Sequence, residues 1–264
     1  MRLRIVGSAG SVAGPDSASS CYLLEADAGG RTWRIVLDLG SGAIGPLRRY
    51  CDPVRLDAVL VTHGHPDHCA DLGALSVLYR YGPAKDDGLP RVPLLAPSGM
   101  DRRIVEISGA EDDNDLLAFD FTSLAHGARI QLGPFDITAA RAWHPIPSLA
   151  FRVEGPGESA GPGQPGGRVS LVYTGDTDRS VEIEELAAGT DTLLVEAGWA
   201  HREVNPPGVH LNATQAAQLA ADAGAGRVIL THVASWVDPQ LSLDQALAIR
   251  PDAVLARPGD VHVI

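Results

Sequence analysis

Lysine is almost missing from this chain: Lys85 is the only one among 21 basic residues in 264 positions. With 33 acidic residues the formal net charge is −12. A protein that grips a long polyanion through phosphate contacts carries a basic stripe, and none is readable here. Long nucleic acid is therefore not an expected partner, and attraction for a small anionic substrate would have to be local, of the kind metal ions supply. Cysteine is scarce as well. Cys21, Cys51 and Cys69 are an odd number at unrelated spacings, which argues against a disulfide framework. No apolar run approaches the roughly 18 residues needed to span a bilayer. The opening "MRLRIVGSAG" leads into a strand-like segment without an apolar signal core. A cytoplasmic protein with no membrane partner is expected.

What remains is a chain that is 45% hydrophobic and long enough to bury a substantial core. Strand-like segments fall at 3–6, 21–26, 33–39, 57–62, 93–96, 118–123, 129–132, 135–141, 149–154, 169–174, 192–196, 228–231 and 253–256. Helix-like segments fall at about 67–81, 99–109, 181–188, 212–223 and 242–249. In "NATQAAQLAADAG", Asn212 reads as an N-cap, Gln215 as its capping-box partner and Gly224 as the stop. "GSAGS" (7–11) reads either as a turn between strands or as a loop whose amides face a phosphate. The acidic run at 111–115 reads as a solvated loop. "GPGESAGPGQPGG" (155–167) is a Gly/Pro loop joining a hairpin and is too short to separate domains. Strands and helices mix to the end of the chain, so one α/β domain over 1–264 is expected.

Chemistry concentrates at 61–69, "VTHGHPDHC", directly after the apolar run "DAVLV". Along extended chain, residues two apart point the same way, so His63 and His65 can share one metal. Pro66 then turns the chain into a helix, and Asp67 and His68 point elsewhere, toward a second metal. Further ligands follow other strands: His144 after "FDITAARAW", Asp176 in "LVYTGDT" and His232 in "VILTHV". In α/β sheets, functional groups gather at the carboxyl ends of strands. The sets His63/His65/His144/Asp176 and Asp67/His68/His232/Asp176 would share Asp176 and leave room for a bridging water. These donors contain no thiolate and accept zinc, manganese, iron or cobalt.

The sequence "THGHPDH", followed in order by His144, "TGDT" and "LTH", resembles the signature of the metallo-β-lactamase fold. That fold is an αββα sandwich of two mixed sheets flanked by helices, and the resemblance covers essentially the whole chain. "LLVEAGW" (193–199) is similar to the His-Glu-Ala-Thr segment of the RNase Z branch, with Val195 and Gly198 departing from it. "VHLNATQ" is similar to that branch's His-Ser-Thr helix. By this likeness His210 is a non-ligand histidine that contacts the scissile phosphate and is oriented by Glu196, and Asp67 also takes up the water's proton. "GSAGSVAGPDSASSCYLL" and "EAGWAHREVNPPGVHLNAT" resemble small actinobacterial phosphodiesterases that hydrolyse cyclic nucleotides. Trp199 and His201 lie in the second stretch and are candidates for contacting the substrate base.

The resemblance implies two divalent metal ions per chain, zinc first, and a homodimer. It implies a metal-dependent hydrolase cleaving a small phosphodiester, with 3′,5′-cyclic AMP the expected substrate. A tRNA 3′-end endonuclease and a lactone or acyl-ester hydrolase are the alternatives, because the superfamily applies the same ligands to all three. RNase Z enzymes grip tRNA with a long basic arm between their counterparts of His144 and Asp176. Here that interval holds 31 residues and no lysine.

Overall fold

The computed structural model of the chain describes residues 1–109, 113–158, 166–200 and 205–264. Its strands are β1 (Arg2–Gly10), β2 (Ala18–Ser19), β3 (Cys21–Ala28), β4 (Arg31–Leu37), β5 (Ala58–Leu60), β6 (Val92–Pro97), β7 (Phe119–Leu124), β8 (Arg129–Leu132), β9 (Phe135–Arg141), β10 (Leu149–Pro156), β11 (Arg168–Tyr173), β12 (Thr192–Glu196), β13 (Arg227–Thr231), β14 (Val233–Ala234), β15 (Val254–Leu255) and β16 (Val261–Val263). Its helices are α1 (Ile44–Leu47), α2 (Pro66–Cys69), α3 (Asp71–Tyr81), α4 (Met100–Ser108), α5 (Val181–Ala187), α6 (Ala213–Asp222) and α7 (Pro239–Leu247).

The strands form two mixed sheets. One runs β14-β1-β3-β4-β5-β6-β7, with β2 and β16 also pairing β1; the other runs β15-β13-β12-β11-β10-β9-β8. The N-terminal half builds the first sheet, and β14 and β16 cross back from the C-terminal half to pair with β1. Strands with apolar residues on both faces need cover on both sides. In β3, Tyr22 and Leu24 turn toward the opposite sheet, where they join Phe135, Phe151 and Ile229 in a shared core. Cys21 and Leu23 turn outward, into a second core with Leu72, Leu75 and Ile104 from α3 and α4. The second sheet's outer face packs Leu193 and Val195 against Ala216, Leu219 and Ala220 of α6. Burying each such leucine is worth about 1.5–3 kcal/mol. The result is the expected αββα sandwich.

Local signals place most elements. Asn212 caps α6 with a complete capping box: its Oδ1 accepts from Gln215 N at 2.9 Å, and Gln215 Oε1 accepts from Asn212 N at 2.9 Å. Gly224 follows in the left-handed region at φ 62°. The hairpin across the Gly/Pro stretch is present, with Gly155 opposite Val169 and Pro156 opposite Arg168; residues 159–165 lie outside the described residues.

Several expectations are corrected. The last helix is present but starts earlier than 242: α7 begins at Pro239 and ends at Leu247, because Asp238 caps it by accepting from Gln240 N at 2.9 Å and proline suits the first turn. Residues 7–10 are not a turn but the end of β1. Their glycines permit close crossings, since a Cβ on Gly10 would lie 2.3 Å from the His232 carbonyl oxygen. In the acidic run, residues 110–112 lie outside the described residues. Asp115 is not solvated: it is buried, with Oδ1 accepting from Ser76 Oγ at 3.0 Å and Arg80 Nη1 at 2.8 Å.

The tightest crossing lies beneath the densest motif. A Cβ on Gly40, in the turn after β4, would fall 1.9 Å from the Asp67 carbonyl oxygen of α2. Gly40→Ala is therefore expected to lower unfolding stability by about 1–3 kcal/mol or more. Gly45→Ala, where nothing lies within 4 Å, should be neutral or stabilising by up to about 1 kcal/mol. Denaturant melts of the two variants check this, and equal midpoints would overturn the packing argument.

Candidate metal centre

The expected ligands converge where β5, β9, β11 and β13 end. His63 and His65 leave the strand β5 two residues apart, and His65 Nδ1 lies 3.0 Å from His63 Nε2 and 3.1 Å from His144 Nε2. Asp176 Oδ2 stands 3.6 Å from His63 Nε2. The ligand atoms of these four residues lie within 4.8 Å of one another. On the other side, His68 Nε2 is 3.4 Å from Asp67 Oδ2 and 3.1 Å from Asp176 Oδ1. His232 Nε2 is 3.8 Å from Asp67 Oδ2 and 3.3 Å from Asp176 Oδ1. These four also fall within 4.8 Å, so Asp176 faces one cluster with each oxygen.

The opposite ring nitrogens are tied down. Nδ1 of His63 meets Thr62 Oγ1 at 3.0 Å, Nδ1 of His68 meets Asp38 Oδ2 at 2.7 Å, Nδ1 of His144 meets the Val209 carbonyl at 2.8 Å, and Nδ1 of His232 meets Ser20 Oγ at 3.1 Å. With the proton held on Nδ1, each Nε2 offers its lone pair to the cluster.

Sequence reasoning missed this supporting layer. Its centre is Asp38, fully buried just after β4 at a left-handed φ of 57°. Besides His68, its carboxylate accepts from Thr62 N at 2.7 Å, Thr62 Oγ1 at 2.9 Å and Tyr173 Oη at 2.7 Å. The signal was present, an acid ending the apolar run "RIVLDLG", the same strand-end position that marked the other candidates. Ser20 and the Val209 carbonyl carry no such signal.

Burial pushes His63 and His232 below the ordinary imidazole value, and burial together with His144's charge does the same to His65. His144 is lowered by burial too. His68 is the exception: burial opposes its charge, but the carboxylates of Asp176 and Asp38 outweigh this and lift it well above the ordinary value. Burial would raise Asp67, yet the adjacent His68 ring, 3.4 Å away, brings it down to about 2. Asp176 is held far below the carboxylate range despite burial, by His232 and His68.

Three atoms in this packing lack a hydrogen-bond partner among the described residues: His68 Nε2, His232 Nε2 and Asp176 Oδ1. All three belong to one cluster and face one another. Leaving buried polar atoms unpaired costs about 1–3 kcal/mol each, and a cation at their centre would satisfy all of them. Histidine and carboxylate donors also suit a divalent ion. The residues fit metal binding.

His210 sits between the clusters, its ring centroid 5.5 Å from those of His144 and His232. Its Nδ1 bonds Glu196 Oε1 at 3.0 Å. Glu196 is fully buried, and its oxygens also accept from Thr177 N and Gly198 N, each at 2.8 Å. Those bonds occupy the carboxylate and make the pair a hydrogen-bonded dyad rather than a third ion site, although Asp176, Glu196 and His210 lie close enough for one. Burial works against charge on His210, but Glu196 prevails and lifts it to about 9. The departure at Gly198 has a steric reason: a Cβ there would lie 3.0 Å from Glu196 Oε2 and 3.1 Å from His210 Cγ. Trp199 meets His210 edge-on, with centroids 5.3 Å apart. His201 lies outside the described residues.

Comparison with known proteins agrees with this architecture. The family described as "Beta-lactamase superfamily domain" matches residues 33–233. An uncharacterised protein of Mycobacterium tuberculosis (strain ATCC 25618 / H37Rv) is 36% identical over 251 residues, 94% of this chain and 86% of that protein. YhfI of Bacillus subtilis (strain 168), a probable metallo-hydrolase, is 25% identical over 262 residues, covering 99% of each chain. Its crystal structure superposes with a TM-score of 0.81 at 23% identity, over 99% of this chain and 98% of that one. The short form of human tRNase Z has a TM-score of 0.73 at 20% identity, over 100% of this chain and 99% of that one, and shares the fold. Among the described residues, no helix is long and apolar enough to cross a membrane. The chain belongs to the beta-lactamase superfamily and is a metallo-hydrolase of that fold.

Proposed function

We propose that the chain is a dinuclear phosphodiesterase acting on a small phosphodiester, with 3′,5′-cyclic AMP as the expected substrate. The observation that carries this is the pairing of two ligand clusters joined by Asp176 with a separate, buried Glu196–His210 dyad. His63, His65, His144 and Asp176 would hold one ion, and Asp67, His68, His232 and Asp176 the other, zinc being expected from the donor set. Bound there, the two ions supply a hydroxide at neutral pH and neutralise charge on the phosphoryl oxygens.

The chain's own groups do the rest. Asp176 fixes the separation of the clusters through its two oxygens. Asp67 is ionised and can take up the attacking water's proton. The charged His210, its Nδ1 proton held by Glu196, presents its Nε2–H to a phosphate oxygen or the leaving alkoxide. Lactone or acyl-ester hydrolysis would give that dyad a leaving oxygen but no charged phosphoryl oxygen to face. Precursor tRNA is disfavoured by the charge of −12 and by the Gly/Pro stretch that occupies the place of a basic arm.

Elemental analysis of gently purified protein should approach two metal equivalents. Asp176→Ala should lose both. Asp38→Asn should weaken the Asp67/His68/His232 cluster about 10- to 100-fold while sparing the other, because it frees His68 from its anchor. Unchanged metal content in Asp176→Ala would rule out the assignment.

His210→Ala should retain both metals and lose on the order of 10²–10³ in kcat. Loss of metal from this variant would instead make His210 a ligand.

Turnover should be measured on cyclic AMP, cyclic GMP, a linear phosphodiester, precursor tRNA and a lactone. Cyclic AMP hydrolysis with a weak salt dependence is expected, since few counterions are released. Efficient tRNA cutting with inert cyclic nucleotides would replace this reading by the endonuclease, and lactone turnover alone by the esterase.

A further inference from the structure

Beside His65, a cavity of about 330 Å³ opens between α4 and the segment after His144. That volume sits at the lower end of the roughly 300–1,000 Å³ of small-molecule sites. The wall is of two kinds. Met100, at the start of α4, and Ile146 and Pro147, just past His144, are apolar; Arg103 and Glu106 are charged and lie one turn apart on α4. Ile146 and Pro147 follow His144 by two and three residues, which keeps this wall close to the metal cluster.

The charged pair is braced. Arg103 Nε donates to the Gly64 carbonyl at 2.8 Å, and its stem lies against Gly64, where a Cβ would be 3.5 Å from Arg103 Cγ. Arg103 Nη1 donates to Glu106 Oε2 at 3.2 Å. Gly64 separates His63 from His65, so the guanidinium is fixed relative to the ligands themselves. Glu106 remains more than half exposed, with 54% of its side chain accessible. A guanidinium donates only, and a carboxylate accepts only. Side by side, they complement a planar group that carries a hydrogen-bond acceptor next to a donor. Apolar walls complement the faces of the same group.

We propose that this cavity, rather than the surroundings of Trp199 expected from the sequence, is a nucleobase subsite: Met100, Ile146 and Pro147 pack on the base, and the Arg103–Glu106 pair bonds its polar edge. The inference rests on the cyclic-nucleotide reading above and names where the non-reacting half of that substrate lies. Adenine fits the pair with N1 accepting from Arg103 and the N6 amine donating to Glu106. An ester or lactone without a heterocycle would leave both charges unused. The cavity also explains how a substrate with a single phosphate could be held by more than its attraction to the metals, since contacts remote from the reacting bond orient it.

Adenosine tests this directly, because it keeps the base but lacks the phosphate that the metals would attract. Titrated into the metal-loaded protein and followed by calorimetry or NMR shifts, it should bind saturably at millimolar concentration. Purine riboside, which lacks the N6 amine, should bind about tenfold more weakly, the scale of one well-placed base contact. In Glu106→Ala that difference should vanish, and in Ile146→Trp, where an indole fills the cavity, adenosine binding should be lost. Absence of saturable adenosine binding, equal affinities of the two nucleosides for the unmodified protein, or unaltered binding by Ile146→Trp would each overturn the subsite. Inert cyclic AMP alongside the expected nucleoside binding would overturn the proposed reaction and leave the subsite standing.

Discussion

The site depends on one buried carboxylate. Asp176 is 2% exposed, and its two oxygens are approached by His63, His68, His210 and His232 at 3.1–3.8 Å. A buried anion must be paired, because desolvation costs more than any single surface contact returns. Imidazoles alone pair it poorly: charging one disfavours charging its neighbour, as the downward pressure of His68 on His63 and His232 shows. Divalent ions held by these residues would resolve the conflict by supplying the positive charge while the rings stay neutral. Asp38, not a candidate ligand, is fully buried as well and needs the same pairing. It fixes a proton on His68 Nδ1 while tying Thr62 and Tyr173 into the same network.

The sandwich supplies the stiffness this arrangement needs. His63, Asp176 and His232 each follow the end of an apolar strand, and the strands they follow are buried on both faces. Their starting points are therefore fixed by the core. His232 sits at a left-handed φ of 55°, a conformation costing of order 1–3 kcal/mol for a residue that is not glycine. Between β13 and β14 the chain changes sheets at this one residue: Thr231 is the last of β13 in the second sheet, and Val233 opens β14 in the first. The strained turn thus joins the two sheets and aims Nε2 at Asp176 at once.

Legibility in the sequence followed how local the chemistry is. Four of the seven candidate ligands fall in "THGHPDH" because one strand end and one helix turn can place four side chains around two points. The α6 capping box was readable for the same reason, both partners lying within three residues. Asp38, Ser20 and the Val209 carbonyl were not singled out: their partners lie 30, 212 and 65 positions away. The "GSAGS" segment misled because glycine serves close packing as well as turning. Gly7 and Gly10 lie within β1, where backbone carbonyls of Ser19 and His232 occupy the space a Cβ would need. Strands of two or three residues, such as β14 and β16, carry no periodicity to read. Their pairing with β1 brings residues more than 200 positions apart together.

Within a superfamily that uses one ligand set for many reactions, selection of substrate must come from what surrounds the metals. The metals attract any anion, and the chain's charge of −12 opposes a long one more than a short one, because repulsion accumulates with each phosphate brought near the surface. The Glu196–His210 dyad adds a second filter. A donor held by a fully buried carboxylate is worth most against charge that develops beside it. On the proposed phosphodiester reading, the non-bridging phosphoryl oxygens would give this donor a partner besides those drawn to the metals, whereas a carbonyl centre offers one non-bridging oxygen.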